Sequence, residues 1–179
     1  MGHPEAAVDE VAIRRATPAD AGPIAAIRVQ GWQSAYRGHL DENLLDKMSI
    51  ARDEIRWRDH LSSPPEGHRG FIAERRGEAV GFVTCGTSRD EGTGVAEIYA
   101  IYVLPHVIGT GVGRALLAEA MDALRRDGYA EAMLWVLETN ERAHRFYEAA
   151  GWRLDGDPKD DVLDGFAVRE VRYRYRFDR

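Results

Sequence analysis

Gly109, Gly111 and Gly113 alternate in Ile108-Gly109-Thr110-Gly111-Val112-Gly113-Arg114, between a β-branched, aromatic run and an amphipathic one. Alternate glycines let the main chain approach a ligand closely and take up backbone angles that other residues avoid. A helix starting there adds unpaired N–H groups and the positive end of its dipole. Together these make an anion site suited to a pyrophosphate. A Walker A loop needs Lys and then Ser or Thr after its last glycine, and Arg114-Ala115 does not supply them. A Rossmann fingerprint needs glycine where Arg114 stands, and an acidic residue closing the next strand, for which only Glu138 is at hand. On the glycines alone, a plain strand-to-helix turn stays open.

Other chemistry-bearing residues are more scattered. Glu141-x-x-His144 has metal-ligand spacing on a helix, but no second Glu-His pair accompanies it, so a surface pair is the expectation and no metal is assigned. Trp32 and Tyr36 are four apart on one helix face. They can line an acceptor pocket and hold a cation by cation–π contact, or form a core stripe. Cys85, the single cysteine, excludes an internal disulfide and any multi-cysteine zinc site. A small buried strand residue fits it better than a catalytic thiol, because no His or Asn stands out as a partner.

Elements must position these groups. Val11 to Ala16 reads as a strand, and Thr17-Pro18-Ala19-Asp20 as a helix start. That helix runs through Ile24, Ile27 and Arg28 to Trp32 and Tyr36, and Gly38 stops it. A second helical region carries Leu44 to Leu61, ending at the loop Ser62-Ser63-Pro64-Pro65. Two strands flank a turn around Arg76-Gly77-Glu78, and loop residues Arg89 to Gly94 lead to a strand over Ala96 to Val103. The helix after the glycines carries Leu116, Leu117, Ala120, Met121 and Leu124 and stops at Gly128. Ala132 to Leu137 has the continuous apolar character of a buried parallel strand. Asn140 opens a short helix stopped by Gly151. Along Val168 to Phe177, Val171, Tyr173, Tyr175 and Phe177 share one face, and Glu170, Arg172, Arg174 and Arg176 the other. This order predicts an α/β protein, one sheet with helices on its faces.

Two of these segments resemble the GNAT superfamily of acetyl-CoA-dependent N-acetyltransferases. Val103-Leu104-Pro105 followed by Gly111-Val112-Gly113 is similar to its coenzyme motif, with Ile108 in place of the usual Gln or Arg. Asn140-Glu141-Arg142-Ala143-His144-Arg145-Phe146-Tyr147, ending in Gly151-Trp152, resembles a second family motif at the expected distance. The likeness runs from about Phe71 onward. Trp32, Tyr36 and Leu44 resemble a bacterial branch acting on small molecules.

The resemblance implies the GNAT fold: a mixed central sheet with a splayed strand pair and flanking helices. It implies acetyl-CoA as co-substrate, bound by Ile101, Tyr102, Val103, Ile108, Gly109, Thr110, Gly111, Val112, Gly113, Arg114, Asn140 and Ala143. Ile108 lacks a side-chain donor, which Thr110 and Arg114 can replace. Acetyl transfer to an alkyl amine, whose pKa lies near ~10, needs a base to remove a proton. Glu97 matches the family's catalytic Glu, and alternatively orients substrate or only starts a strand. Tyr147 matches the family's acid, which protonates the coenzyme sulfur; the alternative is a packed aromatic. Asn140 is a pantetheine donor, an N-cap, or both. A backbone N–H near Val103 would stabilise the thioester oxyanion. Trp32 and Tyr36 would bind the acceptor, a small-molecule amine. A protein N-terminus is the enzymatic alternative, and a coenzyme-binding module without turnover the non-enzymatic one. Homodimers occur in the family.

Length and composition agree. The chain has 179 residues and a formal charge of −6, from 24 Lys+Arg against 30 Asp+Glu. That suits a flexible stretch over 1–10 and a single acetyltransferase domain over 11–179. The acidic balance argues against nucleic acid. No apolar run spans a bilayer, and Met1 to Ala6 fits neither a signal peptide nor a myristoylation site, so the expected setting is cytoplasmic. Asp155, Asp157, Asp160, Asp161 and Asp164 form an acidic late loop that would border an acceptor site and suit a cationic amine.

Overall fold

The computed structural model describes residues 10–89 and 94–177. The flexible stretch expected over 1–10 therefore lies outside the described residues except for Glu10, as does most of the loop expected between Arg89 and Gly94. The chain runs β1 (Val11–Arg15), α1 (Ala21–Tyr36), α2 (Glu42–Asp46), α3 (Ile50–Ser62), β2 (Arg69–Arg75), β3 (Glu78–Thr87) and β4 (Ala96–Val103). It continues through α4 (Val112–Arg126), β5 (Glu131–Leu137), α5 (Glu141–Ala149), β6 (Arg153–Leu154), β7 (Lys159–Leu163) and β8 (Phe166–Arg176).

Two expectations are corrected. The single helical region over Leu44 to Leu61 is two helices, because Asp41 caps α2 and Ser49 caps α3, each accepting backbone N–H bonds that restart the helix. The acidic late loop is largely a hairpin. β7 pairs with β8 from Lys159↔Glu170 to Leu163↔Phe166 across a two-residue turn. Asp164 at φ 50° and Gly165 at φ 88° both lie in the left-handed region, as a type I′ turn requires.

The strands form one sheet in the order β1-β2-β3-β4-β5-β8, with β6 and β7 both on the outer edge of β8. All pairings are antiparallel except β4 with β5. That parallel joint is brief: only Ala96↔Ala132 and Glu97↔Met133 pair before the strands diverge. Beyond it, the facing edges of 98–103 and 134–137 are not paired to each other. This is the expected splayed pair.

α4 and α5 cover one face. Leu116, Leu117, Ala120 and Leu124 of α4 pack with Val83, Cys85, Ile98, Leu134, Val171 and Tyr173. Burying each of the leucines contributes about 2 kcal/mol. Tyr175 and Phe177 join the same core, so the predicted apolar face of β8 is the buried one. Cys85 is a fully buried strand residue whose thiol burial pushes up to about 12. α1 and α3 cover the other face, packing Ile24, Ile27, Trp57 and Leu61 against Ile72 and Phe82.

A bulge in β4 changes which residues face which way. Thr84 pairs with Ala100 but Cys85 with Ile98, so Tyr99 is the extra residue. Ile98, Ile101 and Val103 all join the α4 core, while Ala100 and Tyr102 join the α1 side. Glu97 thereby shares its face with Ala100 and Tyr102, which strict alternation along the strand would forbid.

Candidate active site

The gap between β4 and β5 opens into a cavity of about 940 Å³ that extends from the Gly109–Arg114 turn to the inner face of α1 and the β7–β8 hairpin. One end is built for an anion. Gly111, at φ 92°, is the N-cap of α4, and Gly109 stands at φ 81°. The first intrahelical bond runs from the Ala115 N–H to the Gly111 carbonyl, so the N–H groups of Val112, Gly113 and Arg114 lack a helical acceptor. Arg114 lines the same end and Arg142 lines the cavity within electrostatic reach of Tyr36, and neither forms an ion pair with a described residue.

The expected coenzyme residues divide on this geometry. Ile101, Tyr102, Val103, Ile108, Gly109, Gly111, Gly113, Arg114, Asn140 and Ala143 line the cavity. Thr110 does not. Its hydroxyl donates to the Val107 carbonyl at 2.7 Å and accepts from Arg75 at 3.2 Å, so it secures the turn and is not turned toward a ligand to replace the missing donor at Ile108. The Val112 side chain is fully buried in the α4 core, which leaves only its N–H for the site. Asn140 caps α5 by accepting the Ala143 N–H at 3.1 Å, and its amide donates to the Tyr36 hydroxyl at 3.1 Å.

Tyr147 sits on α5 among Phe146, Trp152 and Tyr173 and lines the middle of the cavity. Its hydroxyl makes no hydrogen bond to a described residue. Burial, and then the neighbouring Tyr102 and Tyr36, push its pKa well above the ordinary phenol value, so it stays protonated at any working pH. Glu97 is 1% exposed, and Arg89 engages both of its oxygens. The Arg89 N–H reaches Oε2 at 2.9 Å, Nε reaches Oε1 at 3.0 Å, and Nη2 also donates to Oε1. An incoming amine or water has to compete with that guanidinium for the carboxylate.

The far end is mixed in charge and bridged by an ion pair. Trp32 and Tyr36 both line it and are both core residues, packed edge to face at 5.1 Å. Trp32 Nε1 donates to the Tyr102 hydroxyl at 2.8 Å. The cation over the Trp32 ring is the chain's own Arg28, 5.4 Å from the centroid. Arg28 also bonds Asp53 at 2.6 Å and pairs with Asp164, tying α1 to the β7–β8 turn. Asp161 and Asp164 border the cavity, whereas Asp155 turns to Arg172 and Arg174 on the sheet. His144 is not paired with Glu141: its ring bonds the Tyr173 hydroxyl at 2.9 Å and the Glu138 carbonyl at 3.1 Å.

The residues missed from sequence are Arg89, Trp135, Arg142, Lys159 and Glu170, all of which line the cavity. Their one local signal was the alternation along β8, which put Glu170 on the face away from the aromatic core.

Residues 30–152 match the sequence profile of the acetyltransferase (GNAT) family. The chain belongs to the GNAT acetyltransferase family. It is 30% identical over 166 residues to the uncharacterized N-acetyltransferase YuaI of Bacillus subtilis, covering 92% of this chain and 89% of the relative. It is 35% identical over 144 residues to an uncharacterized N-acetyltransferase of Archaeoglobus fulgidus, covering 79% and 92%. Its fold matches PaiA N-acetyltransferase from Thermoplasma acidophilum in complex with coenzyme A, with a TM-score of 0.69 at 18% identity over 94% of this chain and 99% of that one. The enzyme is thus an acyltransferase with acetyl-CoA as its acetyl donor. The helix-start amides at Gly111–Arg114 and the unpaired strand edges beyond Glu97 fit that donor in kind: the first suit a pyrophosphate, the second an extended amide arm. No helix among the described residues is long and apolar enough to cross a membrane.

Proposed function

We propose that this acetyltransferase moves the acetyl group directly to the primary amine of a small molecule in the cytoplasm. The observation that carries this reading is the ion pair that bridges the acceptor end. The Arg28–Asp164 pair fastens α1 to the β7–β8 turn beside the cavity, which favours a compact acceptor over an extended protein tail. When bound, acetyl-CoA supplies an activated thioester. The chain's residues do the rest. The amides of Val112, Gly113 and Arg114, with the Arg114 side chain, would hold its phosphates. The unpaired edges of β4 and β5 would align the pantetheine arm, and a β4 amide near Val103 would supply a donor for the thioester oxygen. Tyr147 holds its proton ready for the departing sulfur, in an apolar setting that disfavours the phenolate. Glu97 fixes Arg89 beside the cavity. Asn140 holds Tyr36, and through it the aromatic wall of Trp32.

Thioester cleavage measured with a panel of alkyl diamines, amino acids and aminoglycosides, against short peptides with free N-termini, tests the reading. Turnover with small amines and none with peptides is the expected result. Preference for peptides, or binding of acetyl-CoA with no turnover on any amine, overturns it.

A further inference from the structure

Lys159 places a primary ammonium inside the acceptor half of the cavity. Its Nζ lies 4.2 Å from the centre of the Trp135 ring, 3.1 Å from Asp161 and 3.5 Å from Glu170. An aromatic face with two carboxylates is the chemistry that recognises an alkylammonium ion. All four residues line the same cavity as the donor turn and Tyr147. The two carboxylates are not equivalent. Asp161 is half-buried and lies closer to Lys159, while Glu170 is only 6% exposed and holds the lysine at the longer distance. Glu170 is therefore the buried acid of the acceptor end with the weakest cationic partner. Glu97 is locked to Arg89 and Asp164 to Arg28.

Resting on the proposed small-amine acceptor, we infer that Trp135, Asp161 and Glu170 form the acceptor's ammonium site, that Glu170 takes the amine's proton, and that Lys159 is a built-in competitor for the same place. The groups facing Glu170 are Lys159 and Asp161 from β7, its β5 neighbour Leu137, Arg89 after β3, and Tyr36 of α1. Burial raises the carboxyl's pKa above the ordinary value, and Lys159 works against that shift. The arriving ammonium takes over the cationic contact that Lys159 gives up, so Glu170 keeps a charged partner until that partner passes it a proton.

The step balances. The substrate ammonium gives one proton to Glu170, and the freed lone pair forms the C–N bond as the C–S bond breaks. Sulfur takes the Tyr147 proton, the acylated nitrogen returns its second proton to Tyr147 through water, and Glu170 releases its proton to solvent with the product.

The test compares an alkyl amine, charged at neutral pH, with an alkoxyamine, which is not. Wild type, Glu170→Gln, Trp135→Leu and Lys159→Met are assayed with both, and thermal stabilisation by acetyl-CoA checks that each variant is folded. Glu170→Gln is expected to lower kcat/KM for the alkyl amine about 100-fold and abolish its acid limb, with the alkoxyamine rate nearly kept. Trp135→Leu should raise KM for the alkyl amine about 3- to 30-fold. Lys159→Met should lower that KM, with no gain for the alkoxyamine. If Glu170→Gln behaves as wild type, or loses both amines equally, the inference fails while the proposed function stands. If wild type binds acetyl-CoA but acetylates neither amine nor any of the wider panel, the proposed function fails and takes the inference with it.

Discussion

Replacing Arg89 by Met tests what holds Glu97 in place. The Glu97 carboxylate is 1% exposed on a central strand, and Arg89 supplies three donors to it. The substitution removes the two guanidinium donors and leaves only the backbone N–H. Breaking a fully buried pair from one side costs about 3–5 kcal/mol. The Arg89 side chain is 66% exposed, so water reaches the vacated side and the expected loss falls to about 2 kcal/mol. For a chain of this length that is a fall in Tm of about 4–8 °C. Glu97→Gln keeps the volume and one acceptor but loses the charge, for about 1–2 kcal/mol. The double variant Arg89→Met/Glu97→Gln should be less destabilised than the sum of the two, with a coupling of about 1–2 kcal/mol. Thermal unfolding by circular dichroism gives all four corners of the cycle. Because Glu97 is engaged by Arg89, the pH profile of kcat/KM for Glu97→Gln should keep its shape and lose only height. A Glu97→Gln enzyme with unchanged Tm and no acid limb would refute this, and would make Glu97 the base.

Tyr147→Phe should lower kcat about 100-fold with little change in Tm or in stabilisation by acetyl-CoA, since the hydroxyl bonds no described residue; an unchanged kcat removes it as the acid. Gly111→Ala forces a side chain to φ 92° although nothing lies within 4 Å of the new Cβ. The backbone conformation costs about 1–2 kcal/mol, and calorimetry should show a lower Tm and weaker acetyl-CoA stabilisation, whereas Gly113→Ala, with an ordinary contact to Phe146, should show much less. Asp20 is held at about 2, below its usual 3.8, mainly by the Arg14 hydrogen bond, with the Thr17 backbone N–H adding to it against the opposing effect of burial. A depressed carboxyl pKa stabilises the fold above pH ~4 and the contribution fades as pH falls toward 2, so the unfolding free energy from urea titrations should fall by about 2 kcal/mol over that window in wild type and by less in Asp20→Asn.

Much of this was legible in the residues, and the limits were physical. The donor end is local in sequence: its glycines, the helix that follows and the Asn140 motif each carry their own signal, and the structure brings them to one cavity. The acceptor end is assembled from segments far apart in the chain, so Lys159, Trp135 and Glu170 meet only through strand pairing. Arg89, which occupies Glu97, lies across a loop with no periodic pattern to register it. The Asp164-Gly165 pair was a turn signal between two alternating strands, but the surrounding aspartates masked it as a solvated loop. Trp32 and Tyr36 posed a choice between pocket and core that the structure dissolves, since both line the cavity and both pack against Phe166 or its neighbours.

The extra residue at Tyr99 acts as a phase shift. N-terminal to it, odd-numbered positions of β4 face the α1 side; C-terminal to it, even-numbered ones do. Deleting the extra residue would restore alternation and leave every side chain on its present face, whereas ironing out the bulge with all residues kept would exchange the α1 and α4 faces from Tyr99 onward. Any attempt to graft an acceptor pocket from one relative onto another must therefore count from the correct side of Tyr99. A substitution copied one position out would not alter specificity but would bury a polar group in the core under α4. The slip at Tyr99 thus decides which side chains of β4 reach the α1 side and which the core under α4.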